Sequence, residues 1–315
     1  MRILVTGSSG HLGEALVRTL RLDGHDPVGL DLLGSSTTDV TGSIGDRSTV
    51  RRALRGVQAV LHTATLHKPH VGTVSRQAFV DTNISGTLVL LEEAVAAGVD
   101  RFVFTSTTSS FGRALRPVVG APAVWITEDT VPVPRNVYGV TKIAAESVCE
   151  LVHRDHRLAT VILRTSRFFP EPDDDALISG NYPTENVQAN EMLYRRVDLA
   201  DVVQAHLCAL DRAPGIGFGR YIVSATTPFT PEDLVGLRSD APAVVRRLFP
   251  VYETLYAARG WRMFPGIDRV YVNRRARQDL GWAPRYDFAR LLSALAAEQD
   301  PRSPLAVSVG SKGYR

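Results

Sequence analysis

Tyr138 and Lys142 stand four residues apart where a helical pattern opens, so on a helix they share one face, a turn from each other. A tyrosine hydroxyl, with a pKa of about 10, is too weak a base at neutral pH. A neighbouring ammonium and a positively charged cofactor ring would stabilise the phenolate and lower that value. The chemistry open to the pair is removal of a proton from a hydroxyl while hydride leaves the same carbon. A third group should hold the reacting oxygen. The run Thr105-Ser106-Thr107-Thr108-Ser109-Ser110 offers six hydroxyls, between which composition does not choose. Because Tyr-x-x-x-Lys pairs also arise by chance, the weight of this one depends on the elements that position it.

Those elements begin at the N-terminus. Ile3, Leu4 and Val5 form a short apolar run, as expected of a strand buried on both faces of a parallel sheet. Gly7, Gly10 and Gly13 follow at intervals of three, and Leu12, Leu16, Val17 and Leu20 open a helix behind them. Strand, glycine turn and helix N-terminus make an anion site suited to a pyrophosphate, although the spacing is not the G-x-G-x-x-G fingerprint. A second apolar run, Pro27 to Leu30, ends in Asp31, eighteen residues after Gly13. A carboxylate there can accept both ribose hydroxyls of an adenosine and would repel a 2′-phosphate, so the pattern points to NAD rather than NADP.

Strands at Ala59–His62, Arg101–Ser106, 159–164 and 220–223 alternate with helices near 75–97, from Tyr138 onward, and at 198–210. That alternation predicts α/β architecture with a doubly wound parallel sheet and ligands at the carboxyl ends of its strands. The tyrosine helix then opens at the edge where a nicotinamide would lie. Thr107 to Val137 is a long, proline-broken loop, of the kind that is usually functional. From Pro228 the pattern changes to short helices broken by prolines, a smaller and mostly helical C-terminal lobe. The expected division is a dinucleotide-binding domain of residues 1–164 and 198–223, a substrate lobe of 165–197 and 224–300, and a tail of 301–315. Between Ala241 and Arg290 ten arginines face four acids, which suggests that the lobe meets an anion.

Composition excludes several classes. At 315 residues, 44% hydrophobic and 22% charged, the chain is an ordinary globular protein able to bury a large core. The pI of about 9.0 comes from scattered arginine with no basic tract, so nucleic acid is not an expected partner. Two cysteines, no leader and no long apolar run imply a reducing, cytoplasmic setting and no membrane. His62, His67 and His70 cross a strand end and a proline and are not expected to bind metal. The acidic run from Glu171 to Asp175 reads as a solvated loop, and the tail from Ser303 as disordered, with packing over the site or on a neighbouring subunit as the alternative.

Taken together, Gly7-x-x-Gly10-x-x-Gly13, Asp31, His62-Thr63-Ala64, Asn83-x-x-Gly86-Thr87, Arg101-Phe102-Val103, Ser106-Thr107 with Phe111-Gly112, Tyr138-x-x-x-Lys142, Leu163-Arg164 and Leu280-Gly281-Trp282-x-Pro284 span nearly the whole chain. In that order they resemble the extended short-chain dehydrogenase/reductases, in the NAD-dependent epimerase/dehydratase branch that includes nucleotide-sugar 4-epimerases. The resemblance implies a Rossmann fold with NAD as cofactor. It also implies Thr107 as the catalytic hydroxyl beside Tyr138 and Lys142, with Phe111 in place of the usual tyrosine. By the same resemblance, Ser9, His11, Leu12, Thr63, Ala64 and Thr65 line the pyrophosphate side with the three glycines, and Ser43 and Ile44 flank the adenine. Asn83 lies beneath the cofactor, and Thr105 and Ser166 lie toward the nicotinamide. A homodimer through the helices that follow the third and fourth strands is implied as well.

Departures narrow the activity. Thr108-Ser109 replaces the Asp-Glu pair that dehydratases use, so dehydration lacks its carboxylates. Ser43 stands where a carboxylate usually holds the adenine amine, Arg167 replaces a customary Asn, and Glu191 falls where epimerases often carry a phosphate-binding Arg. Thr107, Thr108, Arg167, Arg195 and Arg262 are the expected substrate contacts, the arginines serving an anionic small molecule, with Arg196 nearby in sequence. Epimerisation of a sugar, with a nucleotide attached, is the leading expectation. Net dehydrogenation or ketone reduction of a non-nucleotide substrate is the alternative, and an NAD-binding sensor or scaffold without catalysis a further one.

Overall fold

Ile3, Leu4 and Val5 are fully buried, and alternate residues feed opposite cores. Ile3 and Val5 pack with Leu61, Val103, Val161 and Leu163 on one face of the sheet, whereas Leu4 packs with Val60, Phe102, Phe104 and Ile162 on the other. Only a sheet covered by helices on both sides buries every residue of a strand, which is why these runs read as continuous rather than alternating. Each such aliphatic side chain contributes about 1.5–3 kcal/mol on burial.

The computed structural model describes residues 1–172 and 176–313. Its strands are β1 (Arg2–Thr6), β2 (Asp26–Asp31), β3 (Val40–Thr41), β4 (Ala59–His62), β5 (Arg101–Thr107), β6 (Val124–Ile126), β7 (Ala159–Thr165), β8 (Phe218–Val223) and β9 (Arg269–Tyr271). Seven of them form one parallel sheet in the order β3-β2-β1-β4-β5-β7-β8, so the strand order reverses beside β1, between it and β4. That crevice is where a doubly wound sheet binds its ligand.

Helices α1 (His11–Leu22), α2 (Arg47–Ala53), α3 (Arg76–Val80), α4 (Gly86–Ala96) and α5 (Val137–His156) belong to the first half of the sheet. The helix expected near 75–97 is interrupted: residues Asp81–Ser85 form a π-helical turn between α3 and α4. α5 starts one residue before Tyr138, with Asn136 as its cap; its side-chain oxygen accepts from the Gly139 amide at 3.0 Å. α6 (Ala176–Ser179), α7 (Thr184–Glu191) and α8 (Leu199–Ile216) follow, and α8 runs six residues past its expected end, through Pro214.

The remaining helices are α9 (Leu234–Ser239), α10 (Ala241–Leu248), α11 (Tyr252–Ala257), α12 (Arg274–Leu280), α13 (Phe288–Ala296) and α14 (Pro304–Val309). A second core gathers Leu193, Leu237, Val245, Tyr256, Ile267, Val270 and Phe288. Two features depart from expectation. The long loop after β5 contains β6, which pairs in parallel with β9 to give a small second sheet. Ala276, Leu280 and Trp282, inside the stretch assigned to the lobe, pack instead into the core of the large sheet, where the Trp282 indole N–H donates to the Asp201 carbonyl at 3.0 Å.

The arginine-rich stretch is largely engaged within the protein. Arg246 pairs with Glu253, Arg247 with Asp233, Arg269 with Asp268 and Arg275 with Asp129, and Arg259 caps the Leu295 carbonyl. Half of the ten arginines are thus occupied within the fold, two of them by acids outside the stretch, Asp233 and Asp129.

The described part of the tail packs onto the fold rather than lying free, with α14 at Pro304–Val309. Val309 is buried in the core beside α1 and α8, and the Ser303 amide donates to Asp198 at 3.0 Å. Residues 314–315, like the acidic residues 173–175, lie outside the described residues.

Candidate active site

The glycine loop is built by close backbone packing. Gly7 has φ +69°, and a Cβ there would lie 2.8 Å from the Ala64 amide nitrogen and from the Thr63 hydroxyl, at the crevice between β1 and β4. At Gly13 a Cβ would sit 1.9 Å from the Gly7 carbonyl oxygen. At Gly10 the same atom meets only that oxygen, at 3.3 Å. Fold packing therefore demands glycine at 7 and 13, while the demand at 10 comes from whatever approaches the loop. The first-turn amides of α1, on His11, Leu12 and Gly13, have no intrahelical acceptor and suit a phosphate.

A buried chain of hydroxyls and one imidazole fixes this loop to the rest of the site. Thr6 Oγ accepts from the Thr63 and Ala64 amides at 3.2 Å each and so donates to His62 Nδ1 at 2.7 Å. His62 Nε2–H then faces Thr87 Oγ at 2.9 Å, and Thr87 donates to the Asn83 carbonyl at 2.8 Å. Burial first, then the Lys142 charge, pushes the His62 pKa well down, so the ring is neutral and both nitrogens serve this chain. Among the described residues no group of His, Cys, Asp or Glu is arranged to hold a metal.

Asp31 ends β2 with one carboxylate oxygen on the Ser9 amide and the other on the Leu33 amide, each at 2.9 Å. It thus stands against the glycine loop, as a ribose-binding carboxylate would. Ile44 is buried against Gly86, whose absent side chain makes room for it, and the Ser43 hydroxyl accepts from the Gly45 amide at 3.0 Å. Asn83 sits in the π-helical turn with its side chain fully engaged: its oxygen accepts from Thr65 Oγ and the Leu66 amide, and its nitrogen donates to the Leu66 carbonyl and Thr141 Oγ. Such turns recur at functional sites. Here the turn carries Asn83 under the loop that follows β4 and ties that loop to α5.

On α5, Tyr138 and Lys142 are buried on one face. Lys142 Nζ donates to the Thr105 carbonyl at 2.7 Å and lies 4.0 Å from the Phe104 ring centroid. Burial lowers its pKa to about 7, against the opposing pull of Glu146, one turn further along the helix. Thr107 Oγ accepts from the Ser109 amide at 3.1 Å and caps the short helical turn 108–111. That turn packs on the start of α5, where a Cβ at Gly139 would lie 3.1 Å from Pro134 Cβ and in ordinary contact, 3.4 Å, with the Ser109 carbonyl oxygen. The end of β5 and the first turn of α5 are thereby brought together. Other expected hydroxyls turn away: Thr105 Oγ bonds the buried His206 at 2.8 Å, and Thr108 Oγ faces the Thr165 carbonyl at 3.4 Å.

Ser166, just past β7, has a buried hydroxyl with no protein partner among the described residues. With the open face at Gly10 and the carboxylate of Asp31, this orphan oxygen fits a dinucleotide, whose carboxamide could satisfy it.

The expected substrate arginines form two groups. Arg195 and Arg196 both pair with the fully buried Glu191, at 2.6 and 2.8 Å, and Arg167 bridges to the Arg196 backbone, with its side chain on the Glu171 and Pro172 carbonyls. Burial raises the Glu191 pKa, but the charges of Arg195, Arg196 and Arg167 outweigh it and hold that pKa down. Arg262 lies at the other side of α7, stacked 4.6 Å from the Tyr182 ring centroid, with its amide on Asn186.

Two features escaped the sequence reading. The His67 ring lies 6.3 Å from that of Tyr138, and burial together with the Lys142 charge pushes its pKa to about 3, so it faces the site neutral. Glu146 accepts from Ser106 Oγ at 2.6 Å and pairs with the buried Arg164 at 2.7 Å, joining α5, β5 and β7. Its position four residues after Lys142 was the available signal.

A phosphate cradle at the switch point of a parallel sheet, with phenol, ammonium and hydroxyl at the edge beyond it, defines a dinucleotide-dependent enzyme of the oxidoreductase type. The chain belongs to the NAD-dependent epimerase/dehydratase family, whose pattern it matches over residues 3–221. It is 28% identical to a UDP-glucose 4-epimerase of Rhizobium meliloti (strain 1021), over 92% of this chain and 94% of that one. It is 29% identical to a 2-alkyl-3-oxoalkanoate reductase of Stenotrophomonas maltophilia (strain K279a), over 94% of this chain and 99% of the other. Among solved structures, a short-chain dehydrogenase/reductase superfamily protein from Agrobacterium tumefaciens with bound NAD superposes with a TM-score of 0.66 at 27% identity, covering 94% of this chain and 96% of that one. Among the described residues no helix is long and apolar enough to cross a membrane.

Proposed function

We propose that the protein epimerises a nucleotide-linked sugar by transient oxidation of one hydroxyl-bearing carbon to a ketone. The observation that carries this reading is the buried Tyr138 and Lys142 on one face of α5, with Lys142 held on the Thr105 carbonyl beside the turn that Thr107 caps. NAD, held by the glycine loop and Asp31, would supply the hydride acceptor for the oxidation and, once reduced, the hydride donor for the return. Tyr138 takes the proton of the substrate hydroxyl; Lys142, when charged, stabilises the phenolate; Thr107 holds the reacting oxygen. The ketone then turns and receives its hydride on the opposite face, while Tyr138 gives the proton back. The cationic group of Arg167, Arg195 and Arg196 is the proposed seat of the substrate phosphates, with Arg262 toward the rest of the ligand. We also propose a homodimer through the outward faces of α4 and α5, where Val140 and Leu151 are exposed.

The test is to assay the purified protein for retained NAD(H) and to incubate it with UDP-glucose. Retained cofactor and a product epimer with no net NADH support the reading. A second reading, ketone reduction of a non-nucleotide substrate, draws on the similarity to the oxoalkanoate reductase and on Glu191, which neutralises part of the arginine group. An empty site, with stoichiometric NADH consumption by a 3-oxo acid, selects it.

A further inference from the structure

We propose that residues Ser311–Gly313 form a strap that holds the bound dinucleotide in place and slows its release. The inference rests on the dinucleotide reading of the glycine loop. After α14 the tail runs back along α1 toward its N-terminus: Arg18 reaches the Ser308 carbonyl, and Lys312 pairs with Glu14, one turn inside the helix. The strap ends on Glu171, in the loop after β7. One carboxylate oxygen, Oε1, accepts from Ser311 Oγ at 2.8 Å and from the Lys312 and Gly313 amides at 3.2 Å each, and it lies 2.9 Å from His11 Nε2, which the Lys312 amide also approaches at 3.1 Å.

His11 is the first residue of α1, immediately after Gly10. The cluster therefore stitches three separate pieces of chain together at the rim of the phosphate cradle: the start of α1, the exit of β7 and the C-terminus. Burial opposes the charge on Glu171, yet these hydrogen bonds and the neighbouring His11 hold its pKa at about 2, so the acceptor is a carboxylate throughout the physiological range. Gly310 and Gly313 both have positive φ, +65° and +66°, and bracket the strap with backbone that a larger residue would strain.

The contacts distinguish a strap from a plug. Among the described residues the tail bonds side chains on the flank of α1 and on Glu171, and none of the amides of the glycine loop. The cradle stays open to phosphate while its wall is closed. Such a device acts on departure more than on arrival.

The test uses the full chain and NADH. Release is followed by the loss of enhanced NADH fluorescence after mixing with excess NAD, and association in separate mixing experiments. Lys312→Glu, which sets a carboxylate against Glu14 and Glu171, and Glu171→Ala, which removes the common acceptor, should each raise the release rate at least tenfold with association changed less than threefold. Unchanged release in both variants overturns the strap, and so does faster association with unchanged release, the signature of a plug. A full chain that fails to bind NADH overturns the dinucleotide reading, and the strap with it.

Discussion

The same substitution at two glycines of one loop should weaken cofactor binding at both but stability at only one. In Gly13→Ala the new methyl would lie 1.9 Å from the Gly7 carbonyl oxygen, 2.6 Å from its carbon and 2.8 Å from Ser8 Cα. All three are backbone atoms. To reach ordinary contact at 3.4 Å the carbonyl must move by about 1.5 Å. Gly7 is not at liberty to do so, since its amide is held by the Leu30 carbonyl at 2.8 Å and its carbonyl by the Gly10 amide at 3.0 Å. Alanine gains about 1 kcal/mol over glycine inside a helix, but overpacking costs about 1–3 kcal/mol and more where backbone is the obstacle. The expected net loss is about 2 kcal/mol, read from urea unfolding without cofactor. The same shift displaces the amides of Ser8 to Gly10, so NADH affinity should fall as well.

Gly10→Ala should leave stability nearly intact. The backbone at 10, φ −74° and ψ 170°, accepts any residue, and the new methyl meets only one oxygen, at 3.3 Å. Loss of a glycine cap costs at most about 1 kcal/mol. NADH affinity should nevertheless drop at least tenfold, because the methyl stands on the face offered to the pyrophosphate. Gly13→Ala with undiminished stability, or Gly10→Ala binding NADH as tightly as the parent, would refute this account of the loop.

Other expectations follow from the same geometry. Tyr138→Phe should abolish turnover and leave NADH affinity within a factor of three in a fluorescence titration; an active variant would remove Tyr138 as the base. Asp31→Ser should shift the ratio of NADP to NAD affinity upward at least tenfold, because the carboxylate that would repel a 2′-phosphate is gone. Lys142 has a folded pKa of about 7 against an ordinary 10.5. Between those values the unfolded chain holds the proton that the folded one has lost, so stability without cofactor should rise with pH from 7 to 10, and Lys142→Met should flatten that rise in denaturation curves. Glu146→Gln leaves Arg164 buried without its carboxylate, which should cost about 3–5 kcal/mol in the same assay. It also removes the group that supports the Lys142 charge, so the part of the pH–rate profile that depends on Lys142 should move to lower pH.

What the sequence makes legible follows from how far each feature reaches. Ile3-Leu4-Val5 announces a strand by itself, because both faces are buried, and the Tyr138 and Lys142 pair needs only one helix to be read. Asp31, an end-of-strand carboxylate, is equally local. β6 and β9 are three residues each and pair only with each other, from stretches far apart in sequence, so neither has a signal of its own. The π-helical turn that carries Asn83 changes the backbone without changing composition. Ser311-Lys312-Gly313 reads as disordered polar tail because its acceptors, Glu171 and Glu14, lie far away in sequence. Thr105 and Thr108 show the converse limit: a row of hydroxyls fixes a polar strand end, but only packing decides that one meets His206 and the other the Thr165 carbonyl.

The choice between epimerisation and net redox chemistry does not reside in the groups that move protons. Thr107, Tyr138 and Lys142 serve either outcome, and with Thr108-Ser109 in place of paired carboxylates the chain has no evident acid and base for water loss at that position. What separates the two outcomes is whether the reduced cofactor stays long enough for a ketone to turn over and take its hydride back. Release must be slower than that rotation for an epimerase, and fast enough not to limit turnover for a dehydrogenase. The structural variable is therefore the wall of the cradle rather than its floor. In this chain that wall includes a carboxylate oxygen that accepts three hydrogen bonds from the tail beside the His11 ring, and a lysine paired to the flank of α1. If the strap slows release as proposed, it favours the epimerase reading through residues that lie outside the 3–221 family match at the C-terminal end.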